Sequence, residues 1–542
     1  ATTGEPSKTD NPAPSATLDS GDTAWMLVST GLVMLMVPGL ALFYGGMARR
    51  KNILGTMMQS MVALAVVGLQ WVLLGYAIAF GKSQGGWFGW DPNLIGLQGV
   101  EPNQLFANTK IPIYVHCMYQ GMFAIITPAL ISGALAERIR FGPYCLFLLL
   151  WSTFVYAPLA HWVWAIDAEG NPVGWLGKMG ALDFAGGTVV HIAAGVSGLA
   201  AILLLRKRIG YPEHAMHPNS VVLTLLGGGL LWFGWFGFNG GSALGSGALA
   251  GSALTVSQVA AASAALTWML VEWLHRGKPT ALGFATGLVA GLVGITPASG
   301  FVRPLAAIAV GAIAALCCYA AVALKPRLKY DDSLDAFGVH GIGGMVGALL
   351  TGLFVVDGSL YEKAFGSKLP PVDVFGSAAP RVVAQVVAVL AAGAVAFLVS
   401  AVLVKLIDLA CGFCLDPQAE SEGLDRAAHG EVGFDLGPVL EVAPAAPATE
   451  PRPAMVPPAG QKRFTAIVEG GNNGDLLHVW SDLCHAGASP PSDEFRAVYP
   501  FLTTVQGNRF RFRGGDPDAI RSNLQRLFEK RMNVPVRVRL EK

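Results

Sequence analysis

Long apolar stretches recur along most of this sequence and are separated by short polar segments. Each stretch has roughly 18–30 residues, enough for a helix to cross the ~30 Å hydrocarbon layer of a membrane. They lie near residues 24–47, 53–80, 113–136, 143–164, 184–205, 219–238, 248–275, 281–298, 302–324, 338–356 and 379–411. The pattern predicts an all-α polytopic membrane protein with eleven transmembrane helices.

Basic residues concentrate in alternate loops. They follow the first, third, fifth, seventh and ninth stretches, at Arg49–Lys51, Arg138/Arg140, Arg206–Arg208, Arg276/Lys278 and Lys325–Lys329. By the positive-inside rule these loops are cytoplasmic, so we expect an external N-terminus and a cytoplasmic C-terminus. Because the sequence begins with Ala1 and not Met, we also expect that a signal peptide has been removed.

Similar motifs end the first and sixth stretches, which indicates an internal repeat. Phe43–Gly46 reads FYGG, and Phe238–Gly241 reads FNGG. A repeat of five spans must reverse its direction in the membrane, because five is an odd number. The sequence therefore predicts an inverted 5+5 repeat, with the functional site near the midplane between the two halves.

Two histidines occupy matching positions in the fifth and tenth stretches. His191 lies in ALDFAGGTVVHIAAG and His340 in DAFGVHGIGGMVG, each beside small residues. Ionisable residues at membrane depth are costly and usually functional, although a lone histidine can simply join two helices by a hydrogen bond. Two imidazoles in contact can share a proton, which suits a pore for a small polar neutral solute. They make a poor metal site, because no Cys or carboxylate joins them at ligand spacing.

The composition agrees with a membrane protein. Apolar residues make up 53% and charged residues 13% of the chain, compared with about 25% charged residues in soluble proteins. The formal net charge of +1 gives no reason to expect a nucleic-acid partner. We find no phosphate-binding loop, hydrolytic triad or redox motif, so we predict no enzyme and no cofactor.

The polar segments predict five parts. They are a mobile N-terminus (1–22), a membrane domain (23–411), a polar tail (412–436), a Pro/Ala-rich linker (437–460) and a soluble domain (461–542). In the last part, alternation and helical spacing predict the order βαββαβ, a small α+β domain of ferredoxin-like fold.

The predicted elements of the soluble domain leave its role open. They are strands at Phe464–Val468, Phe495–Thr504, Asn508–Arg513 and Val534–Leu540, and helices at Asp475–His485 and from Pro517. Arginines alternate with apolar residues on two of these strands and give one basic face. This face is solvated, or binds nucleotide or anionic lipid, or, as a weaker alternative, RNA.

Several segments resemble the bacterial Amt branch of the Amt/Mep/Rh ammonium transporters. They read GLALFYGGMARRKN, YQGMFAIITPALISGALAERIRF, ALDFAGGTVVHIAAG, GWFGFNGGSA and FGVHGIGGMVG, and the resemblance covers residues ~22–435. It implies a homotrimer in the bacterial cytoplasmic (inner) membrane, with one pore per subunit. Ammonium or methylammonium would be recruited outside, lose a proton and cross past twin histidines.

The resemblance also implies the site residues. The substrate-binding residues would be Tyr119, Phe123, Trp164 and Ser242, with Asp183 as a nearby carboxylate that caps a helix; the pore gate would be Phe123 and Phe238; the pore histidines would be His191 and His340. The bacterial pattern usually has Phe at the position of Tyr119, so the outer site here is expected to be slightly more polar.

Two further points follow from the resemblance. Residues Glu422–Asp425 and His429–Glu431 resemble a C-terminal regulatory segment, which implies a PII-type regulator at the cytoplasmic face. Two alternatives to transport also stay open: an ammonium sensor that signals through the C-terminal domain, and a water or gas channel of the Rh type.

Overall fold

The computed structural model describes residues 17–356, 379–434, 463–469, 502–506, 509–513, 516–532 and 537–541. The chain divides into two compact units, one ending at Asp435 and the other beginning at Leu436. The predicted linker 437–460 and the first sixteen residues of the predicted N-terminal segment lie outside the described residues.

The first unit is a bundle of membrane-length helices. Eleven helices among the described residues are long and apolar enough to cross a membrane, which confirms the predicted number. They are α1 (Ser20–Met47), α2 (Arg50–Phe80), α3 (Ile113–Leu135), α4 (Phe141–Trp164), α5 (Gly187–Leu204), α6 (Val221–Gly241), α7 (Ala248–Arg276), α8 (Ala281–Ala298), α9 (Pro304–Leu328), α10 (Phe337–Phe354) and α11 (Pro380–Cys411).

Short elements fill the connections between the spans. A hairpin of β1 (Ser83–Gln84) and β2 (Phe88–Gly89) and a 3-10 turn at Pro92–Leu97 follow α2. A one-turn helix, Trp175–Lys178, lies between α4 and α5.

Some spans begin earlier or later than the apolar pattern predicts, because a capping side chain or a backbone turn sets where the helix starts. Helix α1 starts at Ser20, inside the segment predicted to be mobile, because Asp19 accepts a hydrogen bond from the backbone N–H of Asp22 at 2.9 Å. Helix α5 starts at Gly187 and not at 184. There the preceding Gly186 has a φ of +114°, a left-handed conformation that ends the connecting loop.

Helices α5 and α10 are built alike and pack closely. Each begins with a π-helical turn, Gly187–Ile192 and Phe337–Gly341, and each turn contains one of the two histidines. A Cβ on Gly195 would clash with the backbone nitrogen of Gly341, and one on Gly344 would lie 3.1 Å from the Cβ of His191. Glycine therefore sets how near the two helices come, and the matching turns agree with the predicted inverted repeat.

The described part of the polar tail packs on the bundle. Two short helices, α12 (Pro417–Glu422) and α13 (Leu424–His429), follow α11. The N–H of Leu424 donates to the side chain of Asn52 at 2.9 Å. The carboxylate of Asp425 accepts the N–H of Gly55 at 2.8 Å. The tail is thus fixed to the start of α2.

The second unit contains an antiparallel sheet and a helix. Strands β3 (Arg463–Glu469), β4 (Leu502–Gln506), β5 (Arg509–Arg513) and β6 (Arg537–Glu541) form the order β4-β5-β3-β6, and α14 spans Pro517–Met532. This order, with the first and third strands in the centre, agrees with the predicted βαββαβ arrangement. The predicted helix Asp475–His485 lies outside the described residues.

The core of the second unit follows the predicted periodicities. On β5 the buried residues Phe510 and Phe512 alternate, whereas on β3 three successive residues, Ala466, Ile467 and Val468, are buried; Val538 is buried on β6. On α14 the buried residues are Ile520, Leu524, Leu527 and Phe528, and Phe528 packs edge-on against Phe510 with ring centroids 5.5 Å apart.

Candidate functional site

A cavity opens at the end of the bundle where the loops after even-numbered spans lie. We call it the vestibule; its lining includes Phe80, Phe106, His116, Gln120, Phe123, Trp164, Asp183 and Ser242. Four of the predicted site residues thus share one cavity, although α3, α4, α6 and the segment before α5 supply them. A wide aromatic surface with a few polar groups suits a small cation.

Asp183 organises the rim of the vestibule. Its carboxylate accepts the backbone N–H groups of residues 186, 187, 188 and 189 at 2.6–3.0 Å. These are the free N–H groups at the start of α5, where a negative charge is also favoured by the helix dipole. The backbone carbonyl of Asp183 accepts the indole N–H of Trp164 at 2.8 Å. Asp183 therefore holds both Trp164 and the helix that carries His191.

Two stacked phenylalanines close the inner end of the vestibule. The rings of Phe123 and Phe238 have centroids 4.2 Å apart and an interplanar angle of 28°. Trp164 meets Phe123 edge-on at 6.2 Å. Phe123 lines the vestibule, whereas Phe238 lines the next cavity. The pair predicted as a gate is thus a barrier between two cavities.

Tyr119 is not among the residues that line the vestibule. Its side chain is fully buried, and its hydroxyl donates to the carbonyl oxygen of Phe238 at 2.7 Å. The hydroxyl oxygen of Tyr119 also lies 3.2 Å from the Oγ of Ser242. The hydroxyl therefore fixes α3 to the end of α6, beside the gate and Ser242, and does not face the cavity.

The two histidines meet behind the gate. Nδ1 of His191 lies 3.3 Å from Nδ1 of His340, and both side chains are almost fully buried. With one nitrogen donating and the other accepting, the pair shares one proton. His191 also stacks on Trp235 at 5.5 Å, and its Nε2 is buried without a partner in the described structure.

An aspartate before His340 repeats the role of Asp183. Asp332 precedes His340 by eight residues, as Asp183 precedes His191. Its carboxylate accepts the N–H groups of residues 336, 337 and 338 at 2.8–3.3 Å. Asp332 is not among the site residues predicted from the sequence, although the shared spacing of eight residues from each histidine is a signal that could have revealed it.

A narrow cavity connects the gate to the other end of the bundle. Both histidines line it together with apolar side chains, namely Met36, Leu40, Phe43, Ile126, Leu130, Val190, Leu231 and Val289. A further cavity continues from His340 to Thr286 and Asp335. In the described structure the histidines are thus the main polar groups of the narrow cavity behind the gate, and Thr286 and Asp335 add polar groups to the cavity beyond it.

Comparison with known proteins decides the family. The sequence profile of the Ammonium Transporter Family matches residues 24–434. The chain belongs to this family. The ammonium transporter of Aquifex aeolicus is 45% identical over 429 residues, which are 78% of this chain and 96% of the relative. The ammonium transporter of Bacillus subtilis is 44% identical over 420 residues, 77% of this chain and 99% of the relative.

Solved structures agree with this assignment. Saccharomyces cerevisiae Mep2 has 37% sequence identity and a TM-score of 0.66, with 74% of this chain and 91% of that chain covered. A protein described as a Sensor Amt Protein has 29% identity and a TM-score of 0.68, with 76% and 98% covered. This chain is thus a multi-pass member of a family of ammonium transporters.

The opposite end of this transporter bundle carries a buried ionic network. Glu137 pairs with Arg49 at 2.9 Å and with Arg208 at 3.0 Å. Arg208 also pairs with Asp331 at 2.8 Å, and Asp331 with Arg138 at 3.0 Å. In the sequence these arginines indicate only the membrane topology. Their partners come from distant loops, so pattern alone could not find them.

The charges in this network set the pKa values of its carboxylates. Burial acts to raise the pKa of Glu137, but the charges of Arg208 and Arg49 hold it below its usual value. Burial likewise acts to raise the pKa of Asp331, and the hydrogen bond from Arg208 and the charge of Arg138 lower it. Both carboxylates are therefore ionised at neutral pH. Their ion pairs join the loops after α1, α3, α5 and α9, and we call the paired residues, Arg49, Glu137, Arg138, Arg208 and Asp331, the end plate.

The polar tail joins the same end plate. Glu420, on α12, accepts the backbone N–H of Ile209 at 2.7 Å and pairs with Arg206 at 2.5 Å. Its side chain is almost fully buried. The tail of this transporter therefore contacts the loop after α5, the helix that carries His191.

Proposed function

We propose that this protein transports ammonium and methylammonium by recruiting the cation, removing a proton and passing neutral ammonia along the histidine-lined path. The observation that carries the proposal is the buried pair of His191 and His340, 3.3 Å apart behind an aromatic barrier. Family membership supports the substrate. Membership of the ammonium transporter family also favours a transporter over an enzyme.

Recruitment is supported by the chemistry of the vestibule. The face of an indole such as that of Trp164 attracts a cation by about 0.5–2 kcal/mol, more as water is excluded. Ser242 lines the same cavity and adds a hydroxyl. Tyr119 acts indirectly in this proposal, because its hydroxyl bonds α6 beside Ser242. Asp183 contributes a carboxylate held by four backbone N–H groups, and its carbonyl oxygen holds Trp164.

Deprotonation follows from the cost of moving a charge. A bare cation in a narrow apolar path loses its hydration, whereas ammonia crosses at far lower cost. The cavity past Phe123 and Phe238 is almost entirely apolar apart from the histidines. The pair His191–His340 offers one donor and one acceptor, which suits ammonia because it both donates and accepts.

We further propose how the protein sits in its membrane. The basic loops support an external N-terminus, with the vestibule outside and the end plate and tail in the cytoplasm. The family resemblance supports a homotrimer with one pore per subunit in a bacterial inner membrane. The tail, which Glu420 and Asp425 hold against the bundle, is the expected contact surface for a PII-type regulator.

The test is uptake by the purified full chain in lipid vesicles. We expect saturable methylammonium uptake, which His191→Ala or His340→Ala abolishes or makes less selective, because each histidine is the polar partner of the other. His275→Ala is the matched control: His275 bonds Tyr319 at 2.7 Å and lines none of the three cavities. If both pore variants transported at the wild-type rate and selectivity, the proposed mechanism would be wrong.

A second candidate function is ammonium sensing. It is favoured by the docked tail, by the additional C-terminal unit and by the likeness to a protein described as a Sensor Amt Protein. A sensor would bind ammonium with little flux. Binding measured by calorimetry together with negligible vesicle uptake would favour sensing, whereas uptake of many molecules per subunit favours transport.

A further inference from the structure

One face of the sheet in the second unit carries every arginine of the four described strands. Directly opposite residues of antiparallel strands lie on the same face of a sheet, and successive residues of one strand lie on opposite faces. The register of β3 with β5 and β6 therefore places ten residues together. We call them the arginine face; they are Arg463, Thr465, Ile467, Glu469, Arg509, Arg511, Arg513, Arg537, Arg539 and Glu541.

The helix α14 lies on the other face of the sheet. The buried ring of Phe510 packs against Phe528 of α14, and Phe510 points away from the arginine face. The exposed residues of the arginine face include Arg511, Arg537 and Arg539. Ile467, in the centre of this face, is buried next to Arg539, and the apolar stem of an arginine can cover such a residue while its charge stays in water.

The charge on the arginine face is unbalanced. The face holds six arginines and two glutamates, and Arg539 pairs with Glu541 at 3.2 Å. Neighbouring strands lie about 4.8 Å apart, and Arg463 and Arg513 are direct partners in the register. Like charges at directly opposite positions destabilise a sheet. A negatively charged surface against this face would relieve the repulsion, so the face favours an anionic partner.

The form of the face favours a lipid surface over RNA or a nucleotide. Sheets that bind RNA stack bases on exposed aromatic rings. No residue of the arginine face is aromatic, and Phe510 and Phe512 are buried on the other side. A phosphate site at the start of α14 is disfavoured, because Asp516 and Asp518 place negative charge there. A broad sheet face with distributed positive charge matches the many headgroups of an anionic bilayer.

The covalent connection keeps a bilayer within reach of this face. Residues 435–462 join the last described residue of the membrane-spanning unit to β3, and these 28 residues can reach at most about 100 Å. A tether raises the effective concentration of the tethered partners, so a weak attraction at each arginine is sufficient. We propose that the arginine face binds the anionic headgroups of the bilayer that holds the protein's own spans, and so anchors the second unit at the membrane surface.

The test is chemical modification of arginines in the full chain reconstituted in lipid nanodiscs. Both leaflets of a disc are accessible, so the result does not depend on the orientation of the protein. Phenylglyoxal reacts with accessible guanidinium groups, and peptide mass spectrometry gives the rate at each arginine. We expect Arg511, Arg537 and Arg539 to react about fivefold more slowly in discs rich in phosphatidylglycerol than in phosphatidylcholine alone. At about 1 M salt, where the Debye length is about 3 Å, the difference should disappear.

Two arginines of α14 serve as controls. Arg521 and Arg526 are exposed on the helix that packs on the other face, so their rates should be the same in both kinds of disc. Each arginine at an anionic surface contributes about fivefold to binding, the equivalent of ~1 kcal/mol. Arg511→Gln combined with Arg539→Gln should therefore remove most of the protection of Arg537. Arg521→Gln combined with Arg526→Gln removes the same charge elsewhere and should leave Arg537 protected.

Each outcome supports or overturns the proposal. Equal rates at the arginine face in both lipids overturn it, and this comparison needs only the unmodified chain. Equal protection of Arg521 and Arg526 would also overturn it, because the whole unit would then be shielded. Protection by an added oligonucleotide or ATP in phosphatidylcholine discs, without protection by phosphatidylglycerol, would assign the face to a nucleic acid or nucleotide instead. Ammonium uptake enters none of these measurements, so the proposed function is tested separately.

Discussion

Replacement of Asp183 by Asn tests whether this carboxylate holds the site together. The two groups have almost the same shape, so the change removes charge and acceptor capacity while it keeps the volume. In the structure each carboxylate oxygen accepts two backbone N–H groups, at distances of 2.6–3.0 Å. The amide of Asn can accept with its one oxygen, but its NH₂ group would face two N–H donors.

The magnitude follows from this count. Two of the four hydrogen bonds are lost, and hydrogen bonds to a charged group contribute about 1.5–3 kcal/mol each. The expected loss is therefore about 3–6 kcal/mol, most of it local to the start of α5. Because that turn carries His191, we expect both lower thermal stability, by about 5 °C or more, and strongly reduced uptake.

The assay is thermal unfolding of the detergent-solubilised protein, followed by vesicle uptake of the fraction that remains folded. Asp19→Asn is the control, because Asp19 accepts one N–H at the exposed start of α1 and Asn caps helices about as well as Asp. An Asp183→Asn protein with wild-type unfolding temperature and wild-type uptake would refute the capping argument. Normal stability with lost uptake would show instead that the charge acts on the substrate.

Three further predictions follow from other contacts. Tyr119→Phe removes the hydroxyl that bonds the carbonyl of Phe238; we expect a destabilisation of about 1 kcal/mol in unfolding experiments and only a modest shift in the half-saturating concentration, and loss of uptake would contradict this. The pKa of Glu137 is lowered in the folded protein, so the ionised carboxylate contributes its full stability above the ordinary value of 4.5 and loses it as the pH falls through the lower folded value. The unfolding temperature should therefore drop in that acidic range. It should drop less in Glu137→Gln, whose unfolding temperature is already lower at neutral pH. Truncation after Gly437 should leave ammonium uptake intact and change the response of uptake to an added PII-type protein. Loss of basal uptake would contradict the view that the second unit is not needed for transport.

The membrane architecture could be predicted because its signals are local. The length and hydropathy of each span can be read from its own residues. A histidine inside an apolar stretch, such as His191, can likewise be recognised without knowledge of its neighbours in the fold. The boundaries were less accurate, because they depend on caps. Because of Asp19 and Gly186, α1 and α5 start a few residues away from the predicted positions. A hydropathy average over many residues cannot detect the effect of one side chain or one backbone angle.

The pairing of distant residues could not be predicted in the same way. Glu137 and Arg208 are 71 residues apart, and Arg208 and Asp331 are 123 apart, so their contacts exist only after the loops have been brought together by the spans.

The arrangement of the path explains why both halves of the bundle are required. Each half supplies one aspartate, one π-helical turn and one histidine, in the same order and with the same spacing of eight residues from Asp to His. The carboxylates of Asp183 and Asp332 accept the N–H groups that have no partner within the helix where the two turns begin, so these groups need no water as acceptor. Their directions are opposed, and the histidines meet only where the turns overlap. A shift of either turn would separate Nδ1 of His191 from Nδ1 of His340 and leave each buried nitrogen without a partner. The path therefore depends on the capping residues Asp183 and Asp332, although neither lines the narrow cavity between the gate and the histidines.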